Sequence, residues 1–282
     1  MWWHEGAMTS IDNATLTGTT ASGAALGITQ VGARDVVFTL DGSGLTSFPL
    51  PAGAQGLTAR EAGGTVYAAV TQQNTAAAGD TTAAILALRA EAWAQMFSVP
   101  RPWPAVLLKD VRADGAMLLH YSDARGQVLD VFRHATGALD TLASPGTGFK
   151  CWPTVLLSSS RVLGTCQDMA FASTGIGVYA WDPPDYTPRL LDPHAGAWFL
   201  GGANDAGLVV GTLNVAPGQG GPGTVPVAWT AARGLVDLRP LIRGGAPWVP
   251  TEGRAVNANG QILVRASKST GVTAYLLLTP RP

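Results

Sequence analysis

The chain has 282 residues, enough to bury about 75% of its unfolded surface, and only 13% of them are charged, with a formal net charge of -1. So small a charge leaves no basic field for nucleic acid or an anionic bilayer, and no stretch approaches the roughly 18 to 20 apolar residues that cross a membrane. Thirty-five Gly and nineteen Pro, with short blocks of Val, Leu, Thr and Ala between them, predict an all-β chain with almost no helix.

Met1-Trp2-Trp3-His4-Glu5 lacks the basic start and apolar run of a signal peptide, so the sequence reads as cytosolic or as the mature or trimmed form of an exported protein. Taken in chain order, apolar strands that follow turns are marked by Leu16, Val66, Met117, Val162, Leu208-Val209 and Ile262-Leu263, at intervals of 50, 51, 45, 46 and 54. A period of that length predicts propeller blades. A next strand follows each marker, at Val36 to Leu40, Ile85 to Leu88, Val128 to Phe132, Gly177 to Trp181, Pro226 to Thr230 and Ala274 to Leu278. An outer strand follows in the first five units, at Leu45 to Leu50, Ala94 to Phe97, Ala138 to Leu142, Arg189 to Leu191 and Gly234 to Leu238. The sixth unit has none.

The fifth unit, Ala203 to Leu238 with the inner strand Trp198 to Gly201, shows the design most fully. In Asn204-Asp205-Ala206-Gly207 the Asn and Asp side chains bond their own backbone and Gly closes the turn in the left-handed conformation. The expected fold is therefore one domain over 1–282: a six-bladed β-propeller of four-stranded antiparallel blades. The N-terminal segment Trp3 to Ile11 has the pattern of Trp229 to Leu238 and is expected to close the ring in the sixth blade; a competing register makes Met8 to Ile11 the inner strand of the first. Insertions at Gln72 to Thr82 and Ala216 to Thr224 read as surface loops.

Cys151 and Cys166 flank a hairpin with Ser158-Ser159 at its tip, and a tight two-residue turn there sets them opposite each other. A cross-strand disulfide then fits, which suits an oxidising compartment; two buried free thiols in a cytosolic protein is the other reading.

Asn204 to Gly211 with Trp229 to Leu238, Val256 to Leu263, and Thr273 to Pro280 resemble the HAF-type extracellular repeats of bacteria, which carry an Ile-Asn-x-x-Gly-x-Val-Val-Gly core followed by Leu-Trp-x-x-Gly-x-x-x-Asp-Leu. The His of the naming tripeptide is replaced by Thr273 and Val225, and Ser160 stands where the turn Gly of the fourth unit belongs. The resemblance implies an exported β-propeller and brings no catalytic residue.

One further feature is periodic: Trp3, Trp103, Trp152, Trp198 and Trp248 recur at intervals of 100, 49, 46 and 50, each at or just before an inner strand. The indoles either wedge between blades by area alone or form an aromatic rim for a sugar or other flat ligand. In that second reading Arg101, Arg254, Lys150, Asp192 and His194 are the neighbouring polar groups. Chemistry-bearing motifs are weak: the four His are scattered, no Cys-x-x-Cys exists for a metal, and no Gly-x-Ser-x-Gly elbow or cofactor motif is present. The expected function is a non-catalytic extracellular or periplasmic binding or scaffolding propeller that takes a carbohydrate, another small ligand or a protein on its crossover face. The alternatives are a propeller hydrolase or lyase with its site at the axial channel mouth, and a structural part of a larger assembly.

Overall fold

The computed structural model describes residues 2–4, 7–9, 14–20, 22, 24–41, 43–73, 81–99, 106–122, 128–171, 175–192, 197–215, 223–242 and 247–280. These form two compact units, Met1–Thr141 and Leu142–Pro282. The first unit opens with β1 (Trp2–His4) and β2 (Ala7–Thr9), which pair with each other. Three four-stranded sheets follow. The first contains β3 (Thr15–Thr19), β4 (Ala25–Val31), β5 (Arg34–Asp41) and β6 (Gly44–Pro49); the second, β7 (Ala54–Ala62), β8 (Thr65–Gln73), β9 (Thr81–Arg89) and β10 (Ala92–Val99). The third contains β11 (Val106–Val111), β12 (Met117–Ser122), β13 (Val128–Arg133) and β14 (Leu139–Thr141).

The second unit holds the fourth sheet, β15 (Phe149–Leu156), β16 (Val162–Asp168), β17 (Ile176–Asp182) and β18 (Thr187–Leu190), and the fifth, β19 (Trp198–Ala203), β20 (Val209–Asn214), β21 (Thr224–Thr230) and β22 (Gly234–Asp237). The sixth has three strands, β23 (Val249–Val256), β24 (Ile262–Ser267) and β25 (Thr273–Leu278). Every sheet is an antiparallel meander in sequence order, and one 3-10 turn, Arg239–Leu241, is the only helical element among the described residues.

Five of the six expected markers fall at or beside the second strand of their sheets. Leu16 does not: it lies on the inner strand β3, and the second strand is β4. The physical reason is a turn with different chemistry. Thr20, not Asn, opens it, and its hydroxyl accepts the Ala24 N–H at 3.0 Å, as the Asn204 carboxamide oxygen accepts Leu208 N–H at 3.2 Å. The register that makes Met8 to Ile11 the inner strand of the first sheet is corrected, because β2 pairs with β1 and that inner strand is β3.

A feature absent from the sequence reading recurs in every sheet. Each inner strand is bulged at the same rung against its second strand, with Thr17, Leu57, Lys109, Thr154, Gly201 and Arg254 as the extra residues. A bulge bends the strand and increases its twist. β23 alone carries a second bulge, at Thr251.

Burial joins neighbouring sheets within each unit. Leu26, Ile28 and Val37 of the first sheet pack on Ala59, Val66, Ala68 and Val70 of the second, whose opposite face, Tyr67, Ala69 and Ile85, packs on Leu108, Met117 and Leu119 of the third. In the second unit Leu163, Val178 and Ala180 meet Trp198, Val209 and Val227, and Val210 meets Ile262 and Val264. Polar bonds tie the same neighbours: Thr17 Oγ1 donates to Ala59 O at 2.9 Å, Leu200 N–H to Thr165 Oγ1 at 3.0 Å, and the buried Asn204 Nδ2 to Asn257 O at 2.9 Å. Gly201 is required where β19 meets β23, since a Cβ there would overlap the Gly253 carbonyl oxygen.

Cys151 and Cys166 are disulfide-bonded across β15 and β16, with Cα atoms 4.0 Å apart. The expected two-residue turn is corrected: Leu157 N–H bonds Arg161 O at 2.9 Å and Ser160 N–H bonds Leu157 O at 3.0 Å, so three residues form the tip. That shifts the register by one, and the bulge at Thr154 shifts it back before Cys151. Ser160 sits at φ 65, where Gly207 and Gly260 hold the equivalent positions at φ 80 and 73. Closing a loop with a sequence separation of 15 restricts the unfolded chain by about 3 kcal/mol. Replacing both cysteines by serine should therefore lower unfolding free energy by about 2–3 kcal/mol in urea titration, and reductant should move the wild-type midpoint to the variant's without affecting the variant.

Candidate functional site

The near-equal spacing of the tryptophans conceals different phases. Counting from the bulge, Trp198 shares its rung with Ala54, Val106 and Cys151, each three residues before the bulge residue of its strand. Trp152 is one residue further along and points to the opposite face of its sheet from Cys151. Trp248 precedes β23 altogether, two residues before Pro250. Trp3 lies on β1, while Trp103, Arg101 and His194 fall outside the described residues.

These phases give the indoles different surroundings. Trp198 is fully buried between the fourth and fifth sheets against Leu163, Val178 and Val227, a wedge as area alone would place it, and its indole N–H has no acceptor. In the fourth sheet the disulfide occupies the rung of that wedge. Trp152 and Trp248 are half-buried, and each lies under a lysine: Lys150 Nζ is 5.5 Å from the Trp152 ring centroid and Lys268 Nζ 4.4 Å from that of Trp248. Both pairs sit at the ends of their sheets where the crossovers enter. An ammonium held over an indole gains about 0.5–1 kcal/mol at exposed sites and keeps its other donors for water or ligand.

Arg254, the bulge residue of β23, belongs to an ionic group. Glu252, directly opposite Arg265 in the ladder, bonds the Arg265 guanidinium at 2.8 Å and pairs with Arg254 through its second oxygen. The carboxylate is 19% exposed, the guanidiniums 48% and 39%. In the first unit Arg60 braces three inner strands, donating to Thr17 O, to Ala59 O at 2.8 Å and to Lys109 O at 3.0 Å. Burial lowers the Arg60 pKa and the nearby Asp110 opposes that shift. Two His–Asp pairs lie on the third sheet, His120 with Asp130 at 2.8 Å and His134 with Asp140 at 2.5 Å, and Asp192 is half-buried.

Arg265 and Lys268 were not singled out in the sequence, because the strand register alone brings them to Glu252 and Trp248. Among the described residues no group of three or more His, Cys, Asp or Glu side chains is placed to hold a metal ion, and no helix is long and apolar enough to cross a membrane.

No protein-family profile matches the chain, nor does any curated protein. Solved structures do. The β-propeller domain of the Trilobed protease from Pyrococcus furiosus, described as having an open velcro topology, aligns over 96% of this chain and 84% of its own at 7% identity and a TM-score of 0.60. The chain is a β-propeller. An oligogalacturonate lyase in complex with manganese aligns over 95% of this chain and 77% of its own at 12% identity and a TM-score of 0.57. Pyrococcus horikoshii acylaminoacyl peptidase aligns over 98% of this chain at 12% identity and a TM-score of 0.59, and this chain spans 45% of it. At such identities the likeness is one of fold, and the six sheets are its blades.

Two outcomes are expected of the aromatic groups. Trp198→Ala should cost about 3–5 kcal/mol in urea unfolding, as emptied core sites do, whereas Trp198→Phe should cost less than half of that because it also removes an N–H buried without an acceptor. Burial and, to a smaller degree, Asp168 raise the Tyr179 phenol above its ordinary 10.0. Below pH 10 the phenol is neutral in both states; above it the unfolded chain ionises first, so stability should fall as pH rises from about 10. Tyr179→Phe should flatten that alkaline limb in a pH series of melting temperatures.

Proposed function

We propose that the chain is a non-catalytic, exported binding propeller that takes a carbohydrate or a comparable flat ligand at the crossover ends of its fourth and sixth blades. The observation that carries this reading is the contrast among the tryptophans. Trp198 is spent entirely on packing, while Trp152 and Trp248 keep part of their rings at the surface, each with a lysine ammonium beside it. An indole edge beside a mobile donor suits a sugar, whose apolar C–H face and hydroxyl rim ask for those two partners together. The disulfide favours an oxidising compartment, which fits a secreted or periplasmic binder.

The test is a glycan-binding screen of the full chain followed by point variants. Trp152→Ala and Trp248→Ala should each weaken the selected glycan about tenfold, the effect of losing roughly 1.4 kcal/mol, while Trp198→Phe leaves affinity within about twofold. Turnover of a glycan or peptide that survives repurification, or affinity indifferent to both alanine variants, would sink the proposal.

A further inference from the structure

The two lysine–indole pairs face the same blade from opposite sides. Trp152 lies directly opposite Thr165 in its ladder, and Thr165 accepts the Leu200 N–H, so Trp152 and, two residues back, Lys150 look toward the fifth sheet. On the sixth blade Val264 packs on Val210 of the fifth, and Ala266 and Lys268 follow it in the same alternation, with Trp248 set against Lys268. The fifth blade stands between them, and it presents an aromatic of its own. Phe199 lies two residues before the bulge of β19, as Trp152 does on β15, and its ladder partner Thr212 follows Val210 by two, so the ring turns toward the sixth sheet and the gap that Trp248 enters. That ring is 38% exposed and joins neither of the apolar clusters that tie the fifth sheet to its neighbours, although the adjacent Trp198 is fully buried in one of them. All of these contacts lie inside the second unit.

We propose that Phe199 is the middle platform of one extended site, and that its ligand is a linear oligosaccharide of equatorially linked pyranose units, laid across the crossover end of the fifth blade from Trp152 to Trp248. The proposal rests on the carbohydrate reading above and adds the length and linkage of the ligand. Stacked sheets lie about 10 Å apart, so rings on either side of the fifth sheet are further apart than one sugar spans, and a monosaccharide touches only one of them. An extended chain reaches all three. Equatorial linkages make a flat ribbon that presents C–H faces along its whole length, which suits rings carried at intervals by successive sheets, whereas axially linked units coil and offer a face to one ring at a time. The lysines mark the two ends, where each ammonium keeps donors for sugar oxygens. At the middle, Thr212 adds a hydroxyl on the face that carries Phe199.

Titration calorimetry of the full chain with cellobiose, cellopentaose and maltopentaose tests this. Cellopentaose should bind as one molecule per chain and at least about tenfold more tightly than cellobiose or maltopentaose, the gain of joining separate contacts in one ligand. Phe199→Ala and Phe199→Leu should each weaken cellopentaose about fivefold or more, while Phe199→Tyr, which keeps the ring face, should stay within about twofold of wild type. Because Phe199 stands outside the apolar clusters, the urea midpoint of Phe199→Leu should match that of wild type, which separates lost stacking from lost fold. Two cellopentaose molecules per chain, or no advantage over cellobiose, would overturn the extended site and leave the carbohydrate reading standing. Affinity indifferent to Phe199→Leu would overturn the middle platform, and maltopentaose binding as tight as cellopentaose would overturn the linkage. No binding of any of the three would overturn the whole proposal, and a glycan screen that is also blank would take the carbohydrate reading with it.

Discussion

A four-stranded sheet with two apolar faces cannot satisfy both alone, and this constraint governs the rest of the chain. Each sheet here is small, and its interior residues alternate between faces, so Val209 and Val227 pack toward the fourth sheet while Val210 packs toward the sixth. Stability therefore resides in the contacts between sheets more than within them, the condition that defines repeat architectures. Close approach is the other half of the constraint. Where β19 and β20 meet β23, Gly201, Gly211 and Gly253 remove side chains so that backbones can touch, and the Thr17, Thr165 and Asn204 side chains bond across to the next sheet.

The same constraint explains why one rung is filled so differently from blade to blade. Near the crossover end an apolar side chain packs against the preceding sheet of its unit, and its volume is left open. Trp198 supplies it in the fifth blade, Val106 in the third and Ala54 in the second. In the fourth blade the same rung holds a disulfide, which clamps β15 to β16 within the one sheet. A tryptophan near a crossover is thus not one thing: its phase relative to the bulge decides whether the indole is structural or remains available.

Much of this architecture was legible in the sequence. Marker strands spaced by about one blade, turns of the Asn-Asp-Ala-Gly kind and the strands that follow each marker placed five of the six sheets, and half of the other, within a few residues. In the first blade the marker alone was misplaced, because its turn is built on the Thr20 hydroxyl in place of an Asn carboxamide, while the strands expected at Val36 to Leu40 and Leu45 to Leu50 fall on β5 and β6. The bulges were illegible for a deeper reason. Thr17, Leu57, Lys109, Thr154, Gly201 and Arg254 share no chemistry, because twist fixes the position and leaves the residue type open. The cysteine pairing came out correctly from a register that was wrong at both the turn and the bulge, two displacements of one residue that cancel.

The unpatterned residues are the ones the stack leaves free to vary. Within a repeat, a position that every blade fills alike serves the stack, and a position at which one blade differs is released from that duty. β23 has a bulge that no other inner strand has, and it is there that Glu252, Arg254 and Arg265 gather half-exposed charge. Arg60 offers the contrast. It is equally basic, yet its donors are taken up by backbone carbonyls of three neighbouring strands, and burial lowers its pKa, the signature of a brace that has surrendered its solvation to hold strands together. Two arginines of one sign thus divide by what receives their hydrogen bonds: Arg60 serves the fold, and Arg254, sharing a single carboxylate with Arg265 at the surface, keeps donors that only a ligand or water can use.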